Sequence, residues 1–301
     1  MLKPRLEALA RFAAAAVVCA MVGAIAIKSR SIGSIAAGPI VLRPALAADG
    51  VPNFAPNSST GWLAEDDDFI QPPSGPGPVK SDPSRPYISF YKLRDNPHPM
   101  FRLADLSNPI LQPWTREALA KVNARVLAGG YVSIPKERCW PVGVPGFLLL
   151  PATPVYFLQT TKEVVMIWMQ DHQVRHVYLD VPHSANLKPS WFGESVGHYE
   201  GATLVVDTIG LSSRTFVDNY QTPHTEQLHV IERYRMVNGG KTLEAKVHVE
   251  DPGAFTTAWD AIQRYRRVEQ GPMIEMACAE NNDDHFQQNL EPMPQADKPD
   301  F

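Results

Sequence analysis

Apolar and polar residues alternate in short runs through the second half of the chain, and turn residues separate the runs. Val155–Gln159 is followed by Glu163–Gln170 and Val174–Asp180, the last two flanking Asp171-His172-Gln173. Thr203–Ile209 follows Glu200-Gly201, Gln227–Met236 and Thr242–Glu250 flank Asn238-Gly239-Gly240, and Ala258–Val268 and Met273–Ala277 flank Gln270-Gly271-Pro272. Period-two runs bounded by such residues predict strands joined by tight turns. Short connections predict an antiparallel meander, because parallel neighbours need long crossovers. About eight strands close into a barrel or fold into a sandwich to remove exposed edges. The expected fold is therefore mainly β, a lipocalin-like barrel (or sandwich) with room for side chains or one small ligand. One helix is predicted beside it. Ala118, Leu119, Val122 and Val126 recur at helical spacing, Thr115 can cap the start and Gly129-Gly130 can end it.

The ends of the chain read differently. Lys3, Arg5 and Arg11 precede an apolar run from Phe12 to Ile27, and a weaker run, Ser31–Leu42, leads to Ala45-Leu46-Ala47. A basic segment, an apolar segment and a small-x-small site make an export signal. Residues 1–47 are expected to be a signal peptide, with Met21 as a possible true start, or an uncleaved N-terminal anchor; either places the folded part outside the cytoplasm, in the periplasm. Residues 48–86 read as an extended linker. Gln71–Pro86 holds six prolines and two glycines, and Glu65-Asp66-Asp67-Asp68 is an acidic run. The domain is expected over residues 87–285, with a loose tail at 286–301.

Charge narrows the partners. Six of the 28 basic and one of the 32 acidic residues fall within residues 1–47, leaving 22 and 31, a net charge of −9. That balance excludes nucleic acid and anionic lipid as partners, so membrane contact is expected only through an uncleaved N-terminus. Cys139 and Cys278 are the two cysteines outside the leader, which holds Cys19. They can pair in an oxidising compartment or remain two buried thiols. No Cys/His spacing suits zinc, and no metal or cofactor is expected.

Candidate chemistry is densest from Ser190 to Arg235. Strand parity puts Leu228, Val230, Glu232 and Tyr234 on one face and His229, Ile231, Arg233 and Arg235 on the other, so neither face is purely apolar. His183, His224 and His229, with Asp207, Asp218 and Glu232, have the composition of general acid–base catalysis. If catalytic, His183, His224 and His229 should converge with one of the three carboxylates in a single pocket. His224 lies in the Leu211–Glu226 loop, placed at a barrel mouth; His229 and Glu232 have opposite parity, so at most one can join it. His172, Arg175, Trp191, Tyr199, Tyr220 and Arg233 are candidate ligand-binding residues. Gly193-Glu194-Ser195-Val196-Gly197 matches a nucleophile motif but lacks the strand–elbow–helix context it needs.

The run Pro189-Ser190-Trp191-Phe192-Gly193-Glu194-Ser195-Val196-Gly197-His198-Tyr199-Glu200-Gly201, continuing Thr203-Leu204-Val205-Val206-Asp207-Thr208, resembles a large family of uncharacterised exported bacterial proteins. Their core reads Gly-x-Trp-Glu-Gly-Asp-Thr-Leu-Val-Val-Asp-Thr. Pro223-His224-Thr225-Glu226-Gln227-Leu228-His229-Val230-Ile231-Glu232-Arg233, Asp251-Pro252 and Cys278-Ala279-Glu280-Asn281-Asn282 are similar pieces. The resemblance spans roughly residues 105–284. Tyr199 stands where Trp is usual and Ala202 where Asp is usual. It implies export and similar domain limits, and no activity.

Three functions follow as expectations: a small-molecule-binding barrel for a partly apolar ligand; a cofactor-independent lyase, isomerase or hydrolase using His and Asp/Glu; or a structural envelope protein.

Overall fold

The structure, a computed structural model, describes residues 50–89, 102–130, 135, 139–150, 152–271, 273–276 and 278. The expected leader and tail lie outside the described residues. Nine strands close into a barrel: β1 (Thr60–Ala64), β2 (Val155–Gln159), β3 (Glu163–Trp168), β4 (Gln173–Leu179), β5 (Glu194–Glu200), β6 (Thr203–Ile209), β7 (His229–Val237), β8 (Thr242–Glu250) and β9 (Trp259–Glu269). Among the described residues one α-helix, α1 (Pro113–Leu127), accompanies them. The mainly β barrel with a single helix is the fold the alternation predicts.

The topology departs from a pure meander at one point. β4 and β5 are parallel, with Val177 opposite Ser195 and Leu179 opposite Gly197. Every other neighbouring pair is antiparallel. The connection from Asp180 to Gly193 is long enough for the crossover a parallel pair requires. β5 escapes a hydrophobic reading because Ser195 and Gly197 face inward where apolar residues are expected. A Cβ on Gly197 would lie 2.8 Å from the Val205 carbonyl and 2.8 Å from Val177, so a bare backbone is what lets β5 seat here.

The expected linker is corrected too. Residues 60–64 form the strand that closes the barrel, with Thr60 opposite Glu269 and Ala64 opposite Tyr265. Trp62 is fully buried and its indole donates to the Phe54 carbonyl at 2.8 Å. Phe69 and Val79 are also buried. Flanking Pro, Gly and Asp disguise a five-residue strand. The barrel domain therefore starts well before residue 87. Of the expected strand at 273–277, the described residues 273–276 are not in a strand. Residues 273–276 have no regular pairing, although the Met276 carbonyl accepts from the Asp171 amide at 3.1 Å. Thr115 is not the helix cap; Gln112 holds that place with Pro113 behind it, and the Thr115 hydroxyl donates to the Ala254 carbonyl at 2.8 Å.

The barrel is full. The burial alternation of β3, β4 and β7 turns Val164, Met166, Trp168, Arg175, Val177, Val230, Glu232 and Tyr234 inward. A short helical turn, Gly146–Leu149, plugs the interior with Phe147 and Leu148. The Leu148 carbonyl accepts from the Tyr265 hydroxyl at 2.9 Å and from Gln263 Nε2 at 3.3 Å. Between this plug and Trp62, Phe157, Met166 and Tyr234 only about 10 Å³ remains, room for no more than about one water.

Cys139 and Cys278 form a disulfide with Cα atoms 5.5 Å apart, across a separation of 139 residues. In the chain-entropy account so long a loop contributes roughly 4–5 kcal/mol. Denaturant unfolding with and without reductant should show a loss of that order; identical midpoints would show that the bond contributes nothing.

Candidate functional site

The polar residues of the Ser190–Arg235 stretch separate into two groups that the barrel wall keeps apart. The inner group is centred on Glu232, which is fully buried. Its Oε1 accepts from Arg175 Nη1 at 2.9 Å and from the Tyr234 hydroxyl at 2.8 Å, and Arg175 Nη2 donates to Oε2. Arg175 also donates from Nε to Ser195 Oγ at 3.2 Å and from Nη2 to Thr208 Oγ1 at 2.8 Å; the two hydroxyls are 2.9 Å apart. Burial alone would lower the Arg175 pKa, but Glu232 outweighs it and keeps the guanidinium charged. Burial, then the charge of Glu232, pushes the Tyr234 phenol well above its ordinary range. Each of these groups is satisfied by the others and none is open to a ligand. Glu232 and Arg175, expected in catalytic and ligand-binding roles, are thus buried and engaged with each other inside the barrel. Ser195 sits mid-strand in the same cluster and not at a nucleophile elbow.

The outer group is a continuous chain of imidazoles and carboxylates. His183, in the β4–β5 crossover, places Nδ1 3.1 Å from Glu194 Oε1 and Nε2 3.2 Å from Asp207 Oδ1. His229 Nε2 lies 2.9 Å from the same Asp207 oxygen, and its Nδ1 3.5 Å from Glu250 Oε2. His248 Nε2 lies 3.0 Å from Glu250 Oε1 and its Nδ1 2.7 Å from Asp260 Oδ1. The crossover and five consecutive strands, β5 to β9, thus each contribute to one array on the outside of the barrel. Hydrogen bonds from Ser184, first from its hydroxyl and then from its amide, hold the Glu194 carboxyl below the usual range. Burial alone would lower the His248 pKa; hydrogen bonds to Asp260 and Glu250 overcome that and raise it. Among the described residues no group of three or more His, Cys, Asp or Glu is placed to hold a metal ion.

Of the expected catalytic set, His183, His229 and Asp207 meet, and the other three do not. The opposite parity of His229 and Glu232 holds, and it puts His229 outside with Asp207. His224, expected at a barrel mouth, is instead buried: its Nε2 is 2.8 Å from Thr215 Oγ1 and its Nδ1 2.8 Å from the Thr225 carbonyl. Burial lowers its pKa from the ordinary imidazole range. Asp218 shapes its own loop, accepting from the Tyr220 and Thr222 amides and from the Thr222 hydroxyl, and burial pushes its pKa up to about 6.

The expected ligand-binding residues scatter. His172 Nε2 is 3.1 Å from the Ile274 carbonyl. Trp191 packs on Trp140 with ring centres 5.4 Å apart. The Tyr199 hydroxyl accepts from Gln159 at 2.9 Å, and the Tyr220 hydroxyl donates to Asp68 at 2.9 Å. Arg233 lines an accessible space. That space is a groove of about 350 Å³ over the outer faces of β7, β8 and β9. Ile231 and Ile262 form its floor, Arg233, Lys246, His248 and Asp260 its charged edges, and Pro72, Pro73 and Ser74 its wall. The proline-rich segment is anchored there by the Ile70–Ile262 bridge and by the Asp260 amide donating to the Pro76 carbonyl at 3.0 Å. Sequence reasoning missed Lys246, His248, Glu250 and Asp260. The same parity argument applied to β8 puts Lys246, His248 and Glu250 on one outward face.

Compared with protein-family models, curated proteins and solved structures, the chain finds no match.

Two outcomes follow. Removing one member of a buried ion pair costs about 3–5 kcal/mol, so Arg175→Met or Glu232→Leu should destabilise by that amount in urea. The double variant should recover most of it; additive losses would contradict a closed pair. A raised His248 pKa gives stability that is complete below pH 6.5 and is lost as pH rises through the folded-state midpoint. NMR titration should place that midpoint above 6.5 and Asp260→Asn should lower it; a midpoint at or below 6.5 would contradict the assignment.

Proposed function

We propose that this is an exported, periplasmic β-barrel protein that binds a small, partly apolar molecule in the groove outside β7–β9, and not within the barrel. The contrast between the pocket of about 10 Å³ inside the barrel, beside Phe147 and Tyr234, and the external groove of about 350 Å³ carries the reading. Small-molecule sites are concave, largely apolar and edged by a few polar groups, and the Ile231–Ile262 floor with its charged edges fits that description. The Cys139–Cys278 disulfide suits an oxidising compartment, and kinship with the exported family that Pro189–Thr208 resembles belongs to the same proposal. Thermal-shift screening of the full chain against a metabolite set tests it. Ligands should raise Tm, and Ile231→Trp, which fills the groove from a half-buried outward position, should abolish the shifts. Shifts unaffected by Ile231→Trp would move the site elsewhere.

A second reading rests on Asp207, which holds two imidazoles at 3.2 and 2.9 Å. Rings anchored in this way by carboxylates suit a cofactor-independent lyase, isomerase or hydrolase. Loss of a general acid or base slows turnover by roughly 10²–10⁴-fold. On this reading any metabolite consumed by the protein is turned over that much more slowly by His229→Gln; an equal rate would exclude it.

A further inference from the structure

The groove's chemistry goes further than its size. Its outer surface is built of two rows that the strand register fixes. Arg233, Lys246 and Ile262 lie side by side across β7, β8 and β9; Ile231, His248 and Asp260 form the next row on the same face. Same-face rows are two residues apart along the strand, about 7 Å. The isoleucines occupy opposite corners, so the apolar floor runs diagonally between a cationic row and a row ending in a carboxylate.

The charged groups are not equally committed. Arg233 is held by Glu200, and Glu244 by Arg264 at 3.0 Å. Glu250 and one oxygen of Asp260 are engaged by His248. Lys246 makes no ion pair among the described residues and is exposed at the groove, and Asp260 Oδ2 has no hydrogen bond there. The groove therefore offers one uncommitted ammonium and one uncommitted carboxylate oxygen, a row apart, beside an apolar floor and a proline wall.

We propose that the ligand is a small zwitterion with an apolar side chain, of the free amino-acid class. Its carboxylate pairs with Lys246, its ammonium with Asp260, and its side chain lies on Ile231 and Ile262 against Pro72 and Pro73. Two charge-assisted hydrogen bonds of about 2.8 Å with an α-amino-acid head between them suit the row spacing. The proposal rests on the groove reading and adds the ligand class. A purely anionic ligand would face Asp260 unpaired, and a purely cationic one would face Lys246.

Calorimetric titration of the full chain tests this with four probes: L-phenylalanine, N-acetyl-L-phenylalanine, L-phenylalanine methyl ester and the doubly blocked N-acetyl amide. Removing either charge should weaken binding about tenfold, the 1.4 kcal/mol expected for one charge-assisted contact. Lys246→Met should bind free acid and ester alike, Asp260→Asn should bind free and acetylated amine alike, and Lys121→Met, on the exposed face of α1, should behave as wild type. Equal affinity for all four probes, or unchanged discrimination in Lys246→Met and Asp260→Asn, would overturn the zwitterion. Its failure is separable from that of the groove. Should phenylalanine not bind while Ile231→Trp still abolishes other metabolite shifts, the zwitterion falls and the groove stands. Should Ile231→Trp bind phenylalanine as wild type does, the groove itself is the wrong site.

Discussion

The Arg175–Glu232 ion pair sets the terms for the rest of this structure. It places two full charges inside a closed barrel, a position tolerated only when both are paired and their remaining hydrogen-bonding positions are filled. Ser195, Thr208 and Tyr234 fill them. That requirement fixes a small polar residue inside β5 and another inside β6. Phe147 and Leu148 of the turn at Gly146–Leu149 fill the neighbouring space beside Tyr234, where about 10 Å³ is left.

The outer face has its own order. The β4–β5 crossover, which makes the one parallel pair, also brings His183 back over the barrel to Asp207. Antiparallel pairing of β6, β7 and β8 then carries the array from Asp207 to His229 and Glu250, and β9 ends it at Asp260 beside the groove. Topology and site are thus the same fact seen twice, since a plain meander would have no crossover to supply His183. The side chains involved are half-exposed, so each ion pair contributes little to stability. Their arrangement matters for what they present to solvent.

How much of this was legible in the sequence depended on whether a signal was local. Period-two alternation revealed seven of the nine strands, because Val, Leu and Tyr recur on their inward faces. β1 was hidden by the prolines and aspartates around it, and only tertiary contacts show the burial of Trp62 against the barrel. β5 was hidden because its inward residues serve a buried arginine and a close backbone approach. Parity alone separated His229 from Glu232. It could not tell which face was the interior, since Glu232 looks like an outward residue until Arg175, far away in sequence, is placed beside it. His224 looked reactive for the same reason: only the fold shows that two threonines enclose it.

The account's central claim is that the barrel interior is closed and its outer face is the working surface. Methyl NMR of the full chain, titrated with each compound that raises its Tm, reads both places in one experiment. The δ1-methyls of Ile231 and Ile262 should shift on binding while the ε-methyl of Met166, inside the barrel, stays fixed. A shift at Met166 with both isoleucines unmoved would contradict it.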